Sequence, residues 1–514
     1  MRFMVFDKRS VIVILVTMIA ISGLIVVPLI VVPLIREGNT SEASEEGYPS
    51  PTNVETVVDS SDIKKTTSGR ARISLSLGAQ PLNAIFSGGK FIYIVEDRKV
   101  DEKEGHAKKV ILRIIDLRSM TVETSVVIDE YSVSPSGTGP CISEDGSGKS
   151  GYPSYRLLGY DGRYVYYARE CPNTPYLYVV DLLNSRVVNT GIKTYWLAAV
   201  RDGVAYEYKD GTISATDVVE GRVLWSHKLT PGYVFPEPQG PGRAFTGVLK
   251  GAWVDDNSLI LLLQDSDQAT GELVWVYSLV VASEEGVRES YLEAFRVKSD
   301  FASYDIRVGF DGERVYVLTG LIWSYRGAYQ GVVTLDSLAL DGSAKRLLVR
   351  EVGGAPEDGY LPLYLFVDDG RVGIGYAVWR NVVEAMDVGT VTRVEPPILV
   401  FETLTPEGEV LWAREIAVDI EQGKLLGFRE NSLYFTDGRY VYKMGPDRAA
   451  EKLADLGTQG LSADTVLGAI IAAPILFPFL PFITPDTTTV MVMVDTTLYI
   501  YNGPEAQLLS VALG

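Results

Sequence analysis

The residues that could do chemistry are few and scattered. The 514-residue chain has 2 histidines, His106 and His227, and 2 cysteines, Cys141 and Cys171. A zinc site of His and Cys ligands would need nearly all of them in one place. His106 sits in the charged run Glu96–Lys109 and His227 follows Trp225; neither stands in a nucleophile–base pattern of the Ser-His-Asp kind. Gly146–Ser150, GSGKS, has the end of a phosphate-binding loop. The full pattern needs glycine where Ser143 stands and a helix afterwards, to turn its amides on the phosphate. Gly151, Tyr152 and Pro153 come next instead. Acidic pairs occur at Asp255/Asp256, Asp368/Asp369, Glu45/Glu46 and Glu284/Glu285. Glycoside hydrolysis or calcium binding needs carboxylates that converge in space, and adjacency in a turn does not supply that. Asp265–Glu272, DSDQATGE, has a trace of a calcium loop, yet it coincides with a Gly–Trp repeat of the chain. These patterns point to no catalytic residue, no metal ligand and no cofactor.

The elements that must carry any function are easier to read. Val11–Ile35 is uncharged and long enough to cross a hydrocarbon core of ~30 Å. Arg2, Lys8 and Arg9 precede it, and Glu37, Glu42, Glu45 and Glu46 lie after it. Positive charge therefore keeps residues 1–10 in the cytoplasm and exports the rest of the chain. The run exceeds the short apolar core of a cleaved leader and lacks a clear A-x-A site, which favours a transmembrane signal-anchor helix over 11–35. Residues 36–70 are polar and Ser/Thr-rich, the composition of a disordered stalk. Asn39-Thr40-Ser41 matches the N-glycosylation acceptor on the exported side. Outside the cytoplasm Cys141 and Cys171 are expected to pair as a disulfide.

From about residue 71 to 514 the chain repeats itself. RLLGYDGRYVYYA from Arg156, IRVGFDGERVYVL from Ile306, LFVDDGRVGIGYA from Leu365 and WLAAVRDGVAYEY from Trp196 share one grammar. Each is an apolar strand, a tight turn rich in Asp, Gly or Asn, and an alternating strand rich in Tyr and Val, the signature of a hairpin. The turns recur at Gly88, Asp161, Asp202, Asp256, Asp311, Asp369 and Glu430, and continuing the spacing reaches Asp486. Each interval holds four short strands. Tandem four-stranded antiparallel units predict an all-β fold, a β-propeller of eight blades, alternatively seven.

A second repeat lies in TDVVEGRVLW, SDQATGELVW and TLTPEGEVLW, which align without gaps and place Gly221 before Trp225, Gly271 before Trp275 and Gly408 before Trp412. The glycine would turn the chain between the third and outermost strands, and the tryptophan would pack on a neighbouring sheet. This motif resembles the blade repeat of the quinoprotein alcohol dehydrogenase-like superfamily, often D-x-x-T-G-x-x-x-W. The resemblance implies a propeller. For the enzymes of that superfamily it also implies pyrroloquinoline quinone and calcium over the propeller mouth, often beneath a disulfide of adjacent cysteines. Cys141 and Cys171 are not adjacent, and no cofactor or metal ligand carries over. The expectation is therefore a non-catalytic binding or scaffolding module, with a quinone-dependent dehydrogenase as the alternative.

A net charge of −19 without a basic stripe disfavours nucleic acid as a partner. The insertions Glu96–Lys109, Pro231–Phe245, with exposed-looking aromatics, and Asn381–Pro397 are the expected contact surfaces for a protein or glycan. Val466–Thr484 is uncharged and carries Pro474, Pro478 and Pro481, which a spanning helix tolerates poorly. It is expected to supply, through PFLPFI, the innermost strand of the last blade.

Overall fold

The computed structural model describes residues 72–513 apart from 98–106, 133–140, 143–149, 172–173, 236–242, 269–271, 300, 326–327, 353–362, 369, 379–397, 417–423, 438, 456–465, 468–488, 495 and 503–505, together with 52–53 and 64–68. The anchor Val11–Ile35 and Asn39 lie outside the described residues. Among those that are described, no helix is long and apolar enough to cross a membrane.

The strands form an eight-bladed β-propeller. Blade 1 is built from Pro81–Ser87, Lys90–Asp97, Ala107–Asp116 and Thr121–Ser132, in that order. Blade 2 takes Ser154–Tyr160, Tyr164–Cys171, Thr174–Asp181 and Arg186–Lys193. Blade 3 takes Leu197–Arg201, Val204–Lys209, Thr212–Asp217 and Arg222–Lys228. Blade 4 takes Val248–Asp255, Ser258–Asp267, Glu272–Ser283 and Gly286–Lys298. Blade 5 takes Phe301–Phe310, Arg314–Tyr325, Ala328–Ala339 and Ala344–Glu351. Blade 6 takes Leu363–Asp368, Arg371–Val378, Ile398–Leu404 and Val410–Ile416. Blade 7 takes Lys424–Arg429, Ser432–Thr436, Tyr440–Met444 and Glu451–Asp455. The first strand of each blade is the inner one, because first strands of successive blades touch around the ring.

Blade 8 differs from the sequence reading. Its inner strand is Thr489–Val494, and Thr497–Asn502 and Gln507–Ala512 come after it. The hairpin turn that corresponds to Asp161 or Asp202 is therefore at 495–496, not at Asp486. The outermost place is filled from the other end of the chain: Arg72–Ser76 pairs antiparallel with Gln507–Val511 and closes the ring. A strand recruited from hundreds of residues away leaves no local signal, which is why the repeat spacing alone puts each strand one place too far out. Val466–Leu467 runs parallel beside Thr489–Val490 on the inner edge; PFLPFI lies outside the described residues.

The segment read as a stalk also contributes strands. Lys64–Ser68 pairs with Arg72–Ser76, and Thr52–Asn53 pairs with Arg186–Val187 at the rim of blade 2. An outer strand presents unpaired amides and carbonyls, and adding a strand satisfies them. Polar β-branched residues suffice for that, so low hydrophobicity is a poor guide here.

The core sits between the blades. Leu75 and Leu77 meet Tyr501 and Leu508 of blade 8 and Phe91 and Tyr93 of blade 1. Comparable clusters join blades 1 and 2, 4 and 5, 5 and 6, 6 and 7, and 7 and 8, while a larger one spans blades 2 to 4. Each fully buried Leu, Ile or Val is worth about 1.5–3 kcal/mol of transfer free energy, so every blade depends on its neighbours.

The predicted turns take two forms. Asp202-Gly203, Asp256-Asn257 and Glu430-Asn431 have positive φ at both positions, as does Gly88-Gly89, the geometry that matches strand twist in a tight hairpin. Asp161 and Asp311 instead cap three-residue turns. The Asp311 carboxylate accepts from the amides of Glu313 and Arg314 at 2.8 and 2.7 Å and from the Tyr316 hydroxyl at 2.8 Å. Asp161 does the same with Arg163, Tyr164 and Tyr166, and it also accepts from the Asp202 amide of the next blade at 2.8 Å.

Candidate functional site

An antiparallel blade entered at its inner strand has a polarity. Its first–second and third–fourth turns lie at one end, and its second–third turn and the connectors between blades lie at the other. At the first end the joins are short: 88–89, 202–203, 256–257, 284–285 and 430–431. At the other end lie 98–106, 133–149, 229–247, 353–362, 379–397 and 417–423. The three insertions singled out in the sequence therefore leave from one face. Blades 4 and 5 also stand taller: Glu272–Ser283 and Ala328–Ala339 have 12 residues each, against 5 in Tyr440–Met444. Both turns at the short-join face are tight, so the extra length rises at the loop face.

The blade 3 to blade 4 connector is a small hairpin, Val234–Phe235 paired with Arg243–Ala244. Its aromatics are not the exposed platform that the sequence suggested: Phe235 is fully buried and Phe245 nearly so. They pack with Tyr233 and Tyr291 at centroid distances of 5.2–6.5 Å, because the tall outer strand of blade 4 supplies a wall for them. Asp265 holds the hairpin down. It accepts both arms of the Arg243 guanidinium at 3.0 and 3.1 Å, the Thr246 amide at 2.8 Å and the Thr246 hydroxyl at 3.0 Å. Burial pushes the Asp265 carboxyl up, but Arg243 and the Thr246 and Ser266 amides outweigh it and hold it below the ordinary carboxylate range. The first carboxylate of the DSDQATGE stretch is thus taken up by an arginine fork.

Between blades 1 and 2 the loop face carries a tyrosine and charge network. Tyr155 and Arg169 both donate to Asp129, at 2.6 and 2.7 Å. Tyr131 and Lys108 converge on Glu96 at 3.0 and 2.9 Å, and Lys108 lies 5.5 Å from the ring of Tyr152. Burial raises the Tyr155 hydroxyl far above its usual range, and Asp129 raises it further. Beside this network the sulfurs of Cys141 and Cys171 stand 2.03 Å apart, joining the 133–149 connector to the end of a blade 2 strand. Ser150-Gly151, the end of the GSGKS stretch, pairs with Cys141-Ile142 as a short ladder rather than opening a helix.

A third group lies where the inner strands of blades 4 and 5 meet the loop face. Tyr304 is 46% exposed, and its ring meets Trp275 edge-on, with centroids 4.1 Å apart at 82°. The Lys250 ammonium is 5.5 Å from the Tyr304 centroid, with no carboxylate of the described residues at ion-pair distance. Burial holds its pKa below that of an ordinary lysine. Lys424, which opens the inner strand of blade 7, is in the same condition. Nε1 of Trp275 and Oδ2 of Asp305 are buried without a hydrogen-bond partner among the described residues, at a cost of about 1–3 kcal/mol each. Neither lysine stands in a motif; only the absence of a nearby acid in a chain of charge −19 marks them.

The Gly–Trp units occupy two positions, not one. Gly221 and Gly408 have positive φ in third–fourth turns, and Trp225 and Trp412 lie on outer strands. Trp225 is partly buried against Tyr206 of its own blade, whereas Trp412 reaches the next blade by donating to Asn431 at 3.0 Å. Trp275 is on the third strand of blade 4, so its unit spans a second–third turn; Gly271 lies outside the described residues. His227 bonds the Ser283 carbonyl at 2.8 Å, and His106 lies outside the described residues. Among the described residues, no three His, Cys, Asp or Glu side chains cluster as a metal site would require.

No family profile matches the sequence, and no curated protein is recognisably similar to it. Solved structures resemble it distantly. The β-propeller domain of the Trilobed protease from Pyrococcus furiosus is 10% identical, with a TM-score of 0.33 over 73% of this chain and 96% of that one. An acylaminoacyl peptidase from Pyrococcus horikoshii is 13% identical, with a TM-score of 0.30 over 73% of this chain and 52% of that one. An oligogalacturonate lyase from Vibrio parahaemolyticus is 10% identical, with a TM-score of 0.31 over 83% and 98%. Likenesses this distant carry no argument; the propeller rests on the strand pairing itself.

Proposed function

We propose that this chain is a membrane-anchored, extracytoplasmic propeller that binds or scaffolds a protein or glycan partner without catalysing a reaction. The observation that carries the reading is the asymmetry of the two faces. One is built from short turns, with a cavity of about 480 Å³ between the turns of blades 5 and 6. The other gathers the long connectors and the arginine-, lysine- and tyrosine-rich groups on a rigid ring, the arrangement by which scaffolds present binding loops. The charge asymmetry around Val11–Ile35 supports export of everything after residue 35. In an oxidising compartment Cys141 and Cys171 form a disulfide, and Asn39 is open to glycosylation. The likeness to quinoprotein propellers bears on the Gly221/Trp225 and Gly408/Trp412 repeat and brings no cofactor ligand with it.

A peroxidase fused to the C-terminus tests the reading on intact cells supplied with a membrane-impermeant phenol. The expected result is labelling of a reproducible envelope partner, lost when 236–242 and 379–397 are trimmed. A C-terminus shielded from external protease would overturn the topology, and capture indifferent to both trims would overturn the loop-face assignment.

A further inference from the structure

We propose that the loop-side mouth between blades 4 and 5 is a subsite for a ring-borne carboxylate, a hexuronic acid unit, paired to Lys250 and stacked on Tyr304. This deepens the binding reading above and rests on it. The chain carries 66 acidic residues against 47 Lys and Arg, so a lysine without a carboxylate beside it is the exception. Lys250 is such a lysine, partly buried on an inner strand. An ammonium removed from water needs a counter-charge, and the described residues supply none. The nearest acid on the adjoining strand, Asp305, is committed through Oδ1 to Arg307 at 2.7 Å and to the Ile306 amide at 2.8 Å. A ligand carboxylate at this place would supply the missing charge.

Tyr304 says what else the ligand is. Its ring is fixed by Trp275 edge-on and half open to solvent, 46% exposed. A rigid, open aromatic face beside a cation suits a flat apolar ring face that bears an acid, as the C–H face of a uronic acid does. A bare inorganic anion would use Lys250 and leave Tyr304 idle.

Saturation-transfer NMR on the full-length chain in detergent, with sodium glucuronate, glucose and acetate as probes, tests this. Glucuronate should bind about tenfold or more tightly than either control, as expected when a charge-assisted bond and a stacking contact act together. Lys250→Gln should weaken it about tenfold, Lys250→Arg should recover part of the loss, and Tyr304→Ala should weaken it with the charge intact. Circular dichroism checks that each variant is folded, and Tyr304→Ala, at an exposed position, keeps the test open if Lys250→Gln does not fold. Glucuronate binding no tighter than acetate, or binding unchanged in both variants, overturns the subsite. If that happens while the loop trims still abolish partner capture, only the subsite fails; if glucuronate binds while capture ignores the trims, the wider reading fails instead.

Discussion

The two faces of the ring are held by different physics. On the short-join face the recurring devices are local: an aspartate caps amides two and three residues ahead, or a pair of left-handed residues folds the hairpin, with bonds such as that from Asp202 to Asp161 added between blades. On the loop face they are long-range. Asp265 secures a hairpin some twenty residues earlier in the chain, and Asp129 gathers Tyr155 and Arg169 from the next blade. Local devices repeat and need little room to vary. Long-range ones differ at each position, which is what a surface needs if it is to recognise one thing.

Several substitutions would break or sharpen that contrast. The largest loss is expected from removing Cys141 and Cys171 together, which should cost about 3.6 kcal/mol by the chain-entropy argument, read by urea unfolding under oxidising conditions. Asp265→Ala removes the two-armed partner of Arg243 and frees the Thr246 amide; urea unfolding should show a loss of about 2–4 kcal/mol. On the short-join face the effects are smaller. Asp161→Ala should cost about 2 kcal/mol and Asp311→Ala about 1 kcal/mol, because Asp161 alone also holds the Asp202 amide of the next blade. Gly408→Ala should cost about 1–2 kcal/mol: its φ is +94° and a Cβ would lie 3.0 Å from the Leu347 carbonyl. Gly312→Ala, with φ +100° and open space around it, should cost about 1 kcal/mol or less. Equal losses at Gly408 and Gly312 would mean that blade contact adds nothing there.

Acid should touch both faces gently. Hydrogen bonds from Lys90 and Ser119 bring Asp116, on the short-join face, down to about 2, and Asp265 is also lowered. A carboxyl with a lower pKa in the folded state stabilises fully above its unfolded value of about 3.9 and loses that contribution as pH falls through the folded one. Thermal midpoints should therefore be flat from pH 7 to about 5 and fall between about 4 and 2. A midpoint that rises on acidification would contradict the assigned ion pairs.

The difference between the faces also explains what could be read from the chain. Asp-Gly, Asp-Asn and Glu-Asn steps announce their own geometry, so the hairpins at Asp161, Asp202, Asp256, Asp311 and Glu430 were legible, and with them the propeller. The last blade is offset by one strand from its sequence reading because Arg72–Ser76 comes from the far end of the chain. SDQATGELVW aligns without gaps to its two relatives yet sits at a different turn, since a Gly–Trp step suits any turn that leads into a packed strand. Phe235 and Phe245 looked exposed because nothing near them in sequence indicates the wall made by Tyr291. Lys250 and Lys424 were invisible for the opposite reason: their significance lies in which residues are not beside them.

The central claim is that binding belongs to the loop face, and steric blocking tests it most directly. Ser303→Trp places bulk at the exposed loop-side end of the blade 5 inner strand, and Ser119→Trp places the same bulk on the exposed third–fourth turn of blade 1. With both variants folded, recovery of the labelled envelope partner should collapse for Ser303→Trp and stay at the wild-type level for Ser119→Trp. Loss of recovery with Ser119→Trp and full recovery with Ser303→Trp would place binding on the opposite face and contradict the account.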